Sequence, residues 1–185
     1  TPCQVTQQPL IQQVADNNTL QRAYTWLRAQ QPGALPHWDY LKPSLSTQLR
    51  SGEYCFQPVT LVPTTNRVGE PETREVWHAQ DQLVLKAISL VLTDALQADL
   101  PTCCHHLDGR AGIKQTVRQT REYLENHPDS WVMTSDVKGY YAHIDHSILY
   151  QQFQDIFPQE TYLLRLLWQA VKRTVSEGGN YEDIE

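Results

Sequence analysis

The sequence contains no apolar run of about 18 residues, the minimum for a helix that crosses a membrane. Its most apolar stretch, residues 83–96, is cut by Lys86 and Asp94, so no membrane partner is expected. Cysteine is scarce: Cys3, Cys55 and the adjacent Cys103 and Cys104. Neighbouring cysteines rarely join each other, and a chain of 185 residues needs no stapling. Reduced thiols and a cytoplasmic location are therefore expected rather than a disulfide framework. No long block of like charge occurs, which excludes general disorder. Met133 is the only methionine, and the opening Thr1-Pro2-Cys3 carries no signal-peptide pattern. Processing, or excision from a longer protein, is expected. Bases are in deficit, 15 against 21 acids, for a net charge of −6 and a pI near 5.6. Composition alone thus speaks against a nucleic-acid binder.

What is present suits a globular chain, with 40% hydrophobic residues, enough for one domain or one and a fraction. Residues 1–17, rich in Gln, Asn and Thr, read as an extended lead-in. Asn18 or Thr19 is placed to cap a helix to about residue 30 that carries Leu20, Ala23, Tyr24 and Leu27 on one face, and Pro32, Gly33 and Pro36 stop it. A second helix is expected over 38–49, with Pro43 as a point of interruption and an end at Ser51-Gly52. The period then changes. Tyr54, Phe56, Val59, Leu61 and Val62, and later Val76 and Trp77, suit strands, and the turn-rich 63–73 between them predicts a hairpin.

The clearest helix covers 80–98, where Leu83, Val84, Ala87, Ile88, Val91, Leu92, Ala95 and Leu96 form a buried stripe. A loop at 101–112, a helix over 113–126 and a buried strand over 130–137 are expected next. Two helices, 146–153 and 159–175, follow; the second is apolar almost all round and needs cover on several sides. There is no internal repeat and no obvious linker. The fold class expected is α/β in the mixed α+β sense, with helices on a short antiparallel sheet and a projecting hairpin.

The segment richest in possible chemistry runs Asp136-Val137-Lys138-Gly139-Tyr140-Tyr141-Ala142-His143-Ile144-Asp145-His146. An Asp at a strand end before a Gly turn offers a carboxylate to a hard cation such as Mg²⁺. On spacing alone it serves equally well as the cap of the next turn. The whole segment resembles the palm motif of reverse transcriptases of the group II intron and retron type, Asp-Ile/Val-Lys-x-Phe/Tyr-Phe/Tyr-x-x-Ile-Asp-His. Ala142 departs from the Asp many relatives carry. The likeness extends to Leu20, Ala23 and Tyr24, to Leu49-Arg50-Ser51-Gly52-Glu53-Tyr54, Pro58 and Val59, and to Arg74-Glu75-Val76-Trp77 with Asp81-Gln82-Leu83-Val84-Leu85-Lys86-Ala87.

The resemblance implies a fingers-like region over 18–128 and a partial palm over 129–185. It implies an RNA-directed DNA polymerase that uses an RNA template, a DNA primer and deoxynucleoside triphosphates, with Mg²⁺ or Mn²⁺ as cofactor. Asp136 would be catalytic and bind metal with the Val137 carbonyl, and Tyr141 would exclude a ribose 2′-OH. Arg74 and Arg67 would meet the triphosphate, as guanidinium forks suit phosphate oxygens. On residues alone, the two arginines read as solvated hairpin charges facing Glu70, Glu72 and Glu75.

Arg110, Lys114, Arg118 and Arg121 fall within a sector of about 80° along about 16 Å of one helix face. Such a row either tracks nucleic-acid phosphates or is an ordinary solvated face. Cys103-Cys104-His105-His106 holds four potential zinc ligands, but consecutive residues close poorly around one ion. His143, Asp145 and His146 suggest a metallohydrolase cluster, against which Asp145 is well placed as a helix cap.

Two-metal polymerisation needs a second carboxylate source. In the family it is a Tyr-x-Asp-Asp turn after a Pro-Gln-Gly segment, and this sequence has neither. The expectation is a fingers and partial-palm fragment, inactive alone, with self-association through an uncovered part of the last helix. The alternatives are a non-catalytic descendant that binds RNA or protein, and a small metal-dependent hydrolase. Four of the 21 acids, Glu177, Glu182, Asp183 and Glu185, lie in the last nine residues, so overall acidity is a poor guide to the nucleic-acid question.

Overall fold

A computed structural model describes residues 8–66, 68–101, 104, 112–177 and 180–183. They divide into two compact units, residues 1–93 with 145–185, and residues 94–144. Together they are mixed α and β, as the periodicities predict.

In the first unit, helix α1 (Leu10–Val14) packs Ile11 and Val14 into the core where an extended lead-in was expected. Its first free N–H groups, on Leu10 and Ile11, donate to the Glu160 carboxylate at 2.5 and 3.3 Å. A cap supplied from so far along the chain leaves no local trace. Helix α2 (Asn17–Gln30) starts one position before the two expected caps: Asp16 accepts from the Asn18 N–H at 2.8 Å. Helix α3 (Trp38–Ser51) runs through Pro43 without a break. It stops at Gly52, whose φ of +74° is open to glycine and where an added Cβ would lie 2.5 Å from the Tyr162 ring.

The expected hairpin forms, but from shifted strands, β1 (Val59–Thr65) and β2 (Pro71–Val76), antiparallel with Val62 opposite Arg74. The ladder extends into the segment expected to be turn, while Tyr54, Phe56 and Trp77 lie outside the strands. Helix α4 (Ala79–Leu96) buries Leu83, Val84, Ala87, Ile88 and Val91. Helices α6 (His146–Ile156) and α7 (Thr161–Val171) follow in the same unit; α5 (Gly112–Asn126) belongs to the other. The helix expected to reach residue 175 ends at Val171. The chain then enters β3 (Thr174–Glu177) and β4 (Asn180–Asp183). Because helices carry the chain back alongside the hairpin, β3 joins β1 in parallel, Val59 opposite Val175. The sheet, ordered β2-β1-β3-β4, is therefore mixed and not purely antiparallel. Along α7, Leu163, Leu164 and Leu166 are buried and only Thr161 and Tyr162 are exposed. The open apolar face expected there is largely covered from within the unit.

The second unit carries α5 (Gly112–Asn126) and a 3-10 turn, Tyr140–His143. Residues 130–137 are not a buried strand: none of them is in strand conformation, and 131–137 are exposed, Trp131 at 97%. A strand has no hydrogen bonds of its own. With no ladder partner among the described residues, its β-forming composition does not produce one.

Candidate functional site

Asp136 and Val137 lie side by side on the exposed 131–137 stretch. Among the described residues no hydrogen bond or ion pair engages the Asp136 carboxylate. The chain then turns through Gly139 at φ +63° into the 3-10 turn that carries Tyr140 and Tyr141. The side chain of Tyr141 lies outside the described structure. His143 closes this turn, its Nδ1 2.7 Å from the Gly139 carbonyl oxygen. Asp145 is committed to helix α6, accepting from the Ser147 and Ile148 N–H groups at 2.8 and 3.1 Å. It is a cap, as one of its two sequence readings had it.

The exposed Asp136 carboxylate and the neighbouring backbone carbonyls offer hard oxygen donors. Oxygen donors of this kind are those that hard divalent cations take, together with further ligands. Among the described residues no three His, Cys, Asp or Glu side chains come together to hold a metal alone. Cys103, His105 and His106, from the possible zinc cluster, lie outside the described residues.

Arg74 belongs to the other unit. It projects from β2 into a cleft of about 530 Å³ lined by Val62, Thr64, Val76, Trp77, Gln31 and Gln82, among others. Side chains alternate along a strand, so Val62, Arg74 and Val76 share the cleft face. Gln82 donates to the Trp77 carbonyl at 2.8 Å and accepts from the Gln31 amide at 3.1 Å. Arg74 has no acidic partner among the described residues. Its neighbour Glu75 also lines the cleft and is gripped by Arg173 through two contacts, Nε at 2.5 Å and Nη2 at 2.6 Å. Arg67, the other expected phosphate contact, lies outside the described residues.

The cleft wall is fixed from beneath. Asp81, 1% exposed, accepts from the Tyr54 hydroxyl at 2.5 Å and from the Gln57 N–H at 3.1 Å. Burial raises the Asp81 carboxyl above the ordinary aspartate range, and these two hydrogen bonds oppose the shift. Tyr54, Phe56 and Trp77 then form edge-to-face contacts at 5.7 and 5.5 Å, leading from the buried acid to the cleft.

On α5, Lys114, Arg118 and Arg121 are exposed; Arg110 lies outside the described residues. Arg118 pairs with Glu122 at 2.8 Å and Arg121 with Glu125 at 3.0 Å. These exposed i,i+4 pairs partly offset the row's charge. Sequence reasoning missed Asp81, Gln31, Gln82 and Arg173 as parts of a site. Only Asp81 left a signal: it continues the buried series Val84, Ile88 and Val91 at spacings of a helical face, and a polar residue there needs a partner. No protein-family model matches the chain, and no curated protein matches it.

Proposed function

We propose that this chain is the fingers and first palm segment of an RNA-directed DNA polymerase. In this reading, the complete enzyme transfers deoxynucleotides to a primer 3′-OH under the direction of an RNA template. The observation that carries it is the ordered run from Asp136 to His146, with its acid, paired tyrosines and Ile-Asp-His close. The local structure is compatible: an exposed carboxylate, a left-handed glycine turn, then a helix capped by Asp145. Asp136 and the Val137 carbonyl would hold Mg²⁺ or Mn²⁺, which when bound supplies Lewis-acid stabilisation of phosphoryl transfer. Tyr141 would sense the sugar, and Arg74 would bind the triphosphate with its guanidinium fork. The described residues supply one carboxylate source, so catalysis by these 185 residues alone is not expected.

Primer extension on an RNA template, using the intact natural protein and its Asp136→Ala variant, tests the reading. Synthesis by the parent and its loss in the variant are expected, and undiminished synthesis in the variant refutes the assignment. The exposed Lys114, Arg118 and Arg121 on α5 also fit a non-catalytic, RNA-binding descendant of the same fold. It predicts RNA binding with no synthesis by either protein.

A further inference from the structure

We propose that the Glu75–Arg173 ion pair is a positioning device that sets Arg74 for binding a polyphosphate in the hairpin cleft. The proposal rests on the reading of Arg74 as a triphosphate ligand. It assigns to Arg173 a role that neither sequence motif nor resemblance suggests.

Strand β2 is an edge of the sheet, bonded along its length only to β1. An edge strand held by one ladder is free to twist, and its side chains swing with it. Arg74 is the residue such motion would displace most consequentially, since a guanidinium must meet phosphate oxygens in a defined plane. Glu75 follows it directly and lines the same cleft. Arg173 takes both Glu75 oxygens, one with Nε and one with Nη2. The forked geometry resists rotation about the strand axis in a way that a single contact does not.

Arg173 is itself anchored. It lies between the end of α7 and the start of β3, the parallel neighbour of β1. Its Nη1 also reaches the Val171 carbonyl at 3.4 Å. The pair therefore ties the free edge of the hairpin, across β1, to the helix and strand behind it. Its side chains are 32% and 26% exposed, so solvent screens the pair only in part. It also occupies Glu75, the acid nearest in sequence to Arg74, and leaves the cleft-facing guanidinium available to an anion.

The test is binding of thymidine triphosphate with Mg²⁺ to the intact protein, with folding followed in parallel by circular dichroism and thermal midpoint. Arg74→Ala is expected to weaken binding at least tenfold. Arg173→Gln and Glu75→Gln should each weaken it about fivefold, and the double variant no more than either single one, as members of one coupled pair. The exchanged pair, Glu75→Arg with Arg173→Glu, should recover most of the affinity, which a purely structural role in the separate residues would not produce. Unchanged affinity in well-folded Arg173→Gln, with Arg74→Ala impaired, overturns the positioning role and leaves the Arg74 reading intact. Unchanged affinity in Arg74→Ala, or no binding by the parent protein, overturns the reading on which the proposal rests.

Discussion

The Tyr54 hydroxyl donates a 2.5 Å hydrogen bond to the Asp81 carboxylate inside the core. This contact joins the segment entering the hairpin to the first turn of α4, and the second Asp81 oxygen holds the Gln57 N–H. A carboxylate buried this deeply is tolerated because its oxygens are engaged. Tyr54→Phe removes a donor from a buried charged acceptor and is expected to cost about 1–3 kcal/mol. Urea unfolding measures it, and a loss below the error of that measurement would show the bond to be dispensable.

The same pair makes stability depend on pH. Burial and Asp81 both raise the Tyr54 phenol well above its ordinary value near 10. The folded state then holds a proton that the unfolded state releases. The Tyr54 contribution to stability is therefore intact below about pH 10 and falls above it, by up to about 1.4 kcal/mol per pH unit. The Asp81 shift has the same sign at lower pH: its folded value is raised, so stability falls as pH rises from the ordinary aspartate range to that raised value. Denaturation curves from pH 8 to 11 should show a shallower alkaline loss in Tyr54→Phe than in the parent. Parallel curves would contradict the burial of this hydroxyl.

Glu160 caps α1 from the residue preceding α7. Glu160→Ala leaves two backbone donors without their carboxylate, at a cost of about 1 kcal/mol. Hydrogen exchange should accelerate at the Leu10 and Ile11 amides more than at those of α4. Unchanged protection there would mean that α1 does not depend on this cap.

Gly52→Ala meets two penalties, a left-handed backbone and the Tyr162 ring. The backbone term alone is about 1–2 kcal/mol. Combining it with Tyr162→Ala should relieve the collision and leave the backbone term, giving less destabilisation than the two single variants sum to. Simple additivity in thermal unfolding would count against the contact.

Asp136→Ala separates folding from function. The side chain is exposed and unengaged among the described residues, so stability should change by no more than about 0.5 kcal/mol. Under the proposed polymerase reading, synthesis is nevertheless lost. A large fall in unfolding midpoint would instead make Asp136 a structural residue.

The elements legible in the sequence were those whose cause is local. The α4 stripe repeats at helical spacing over several turns, the hairpin is bounded by turn residues, and Asp145 sits just ahead of its helix. Strands β3 and β4 were hidden because only Lys172 and Arg173 separate Thr174 and Val175 from an apolar helix. The dipeptide Gly178-Gly179 was the available hairpin signal. The 130–137 stretch misled in the opposite direction. Its β-branched and aromatic residues describe a strand only when a neighbour supplies the ladder.

The candidate site divides in the same way. The order of residues from Asp136 to His146, and with it the resemblance to a polymerase palm, belongs to the sequence alone, because a motif is a linear property. That Arg74 lines a cleft while Arg173 holds the neighbouring Glu75, and that Asp81 is held by Tyr54 and Gln57, was decided by tertiary structure. Both arrangements depend on side chains far apart in sequence. The return of the chain through α7 into β3 brings Arg173 to Glu75, and the docking of α4 brings Asp81 to Tyr54.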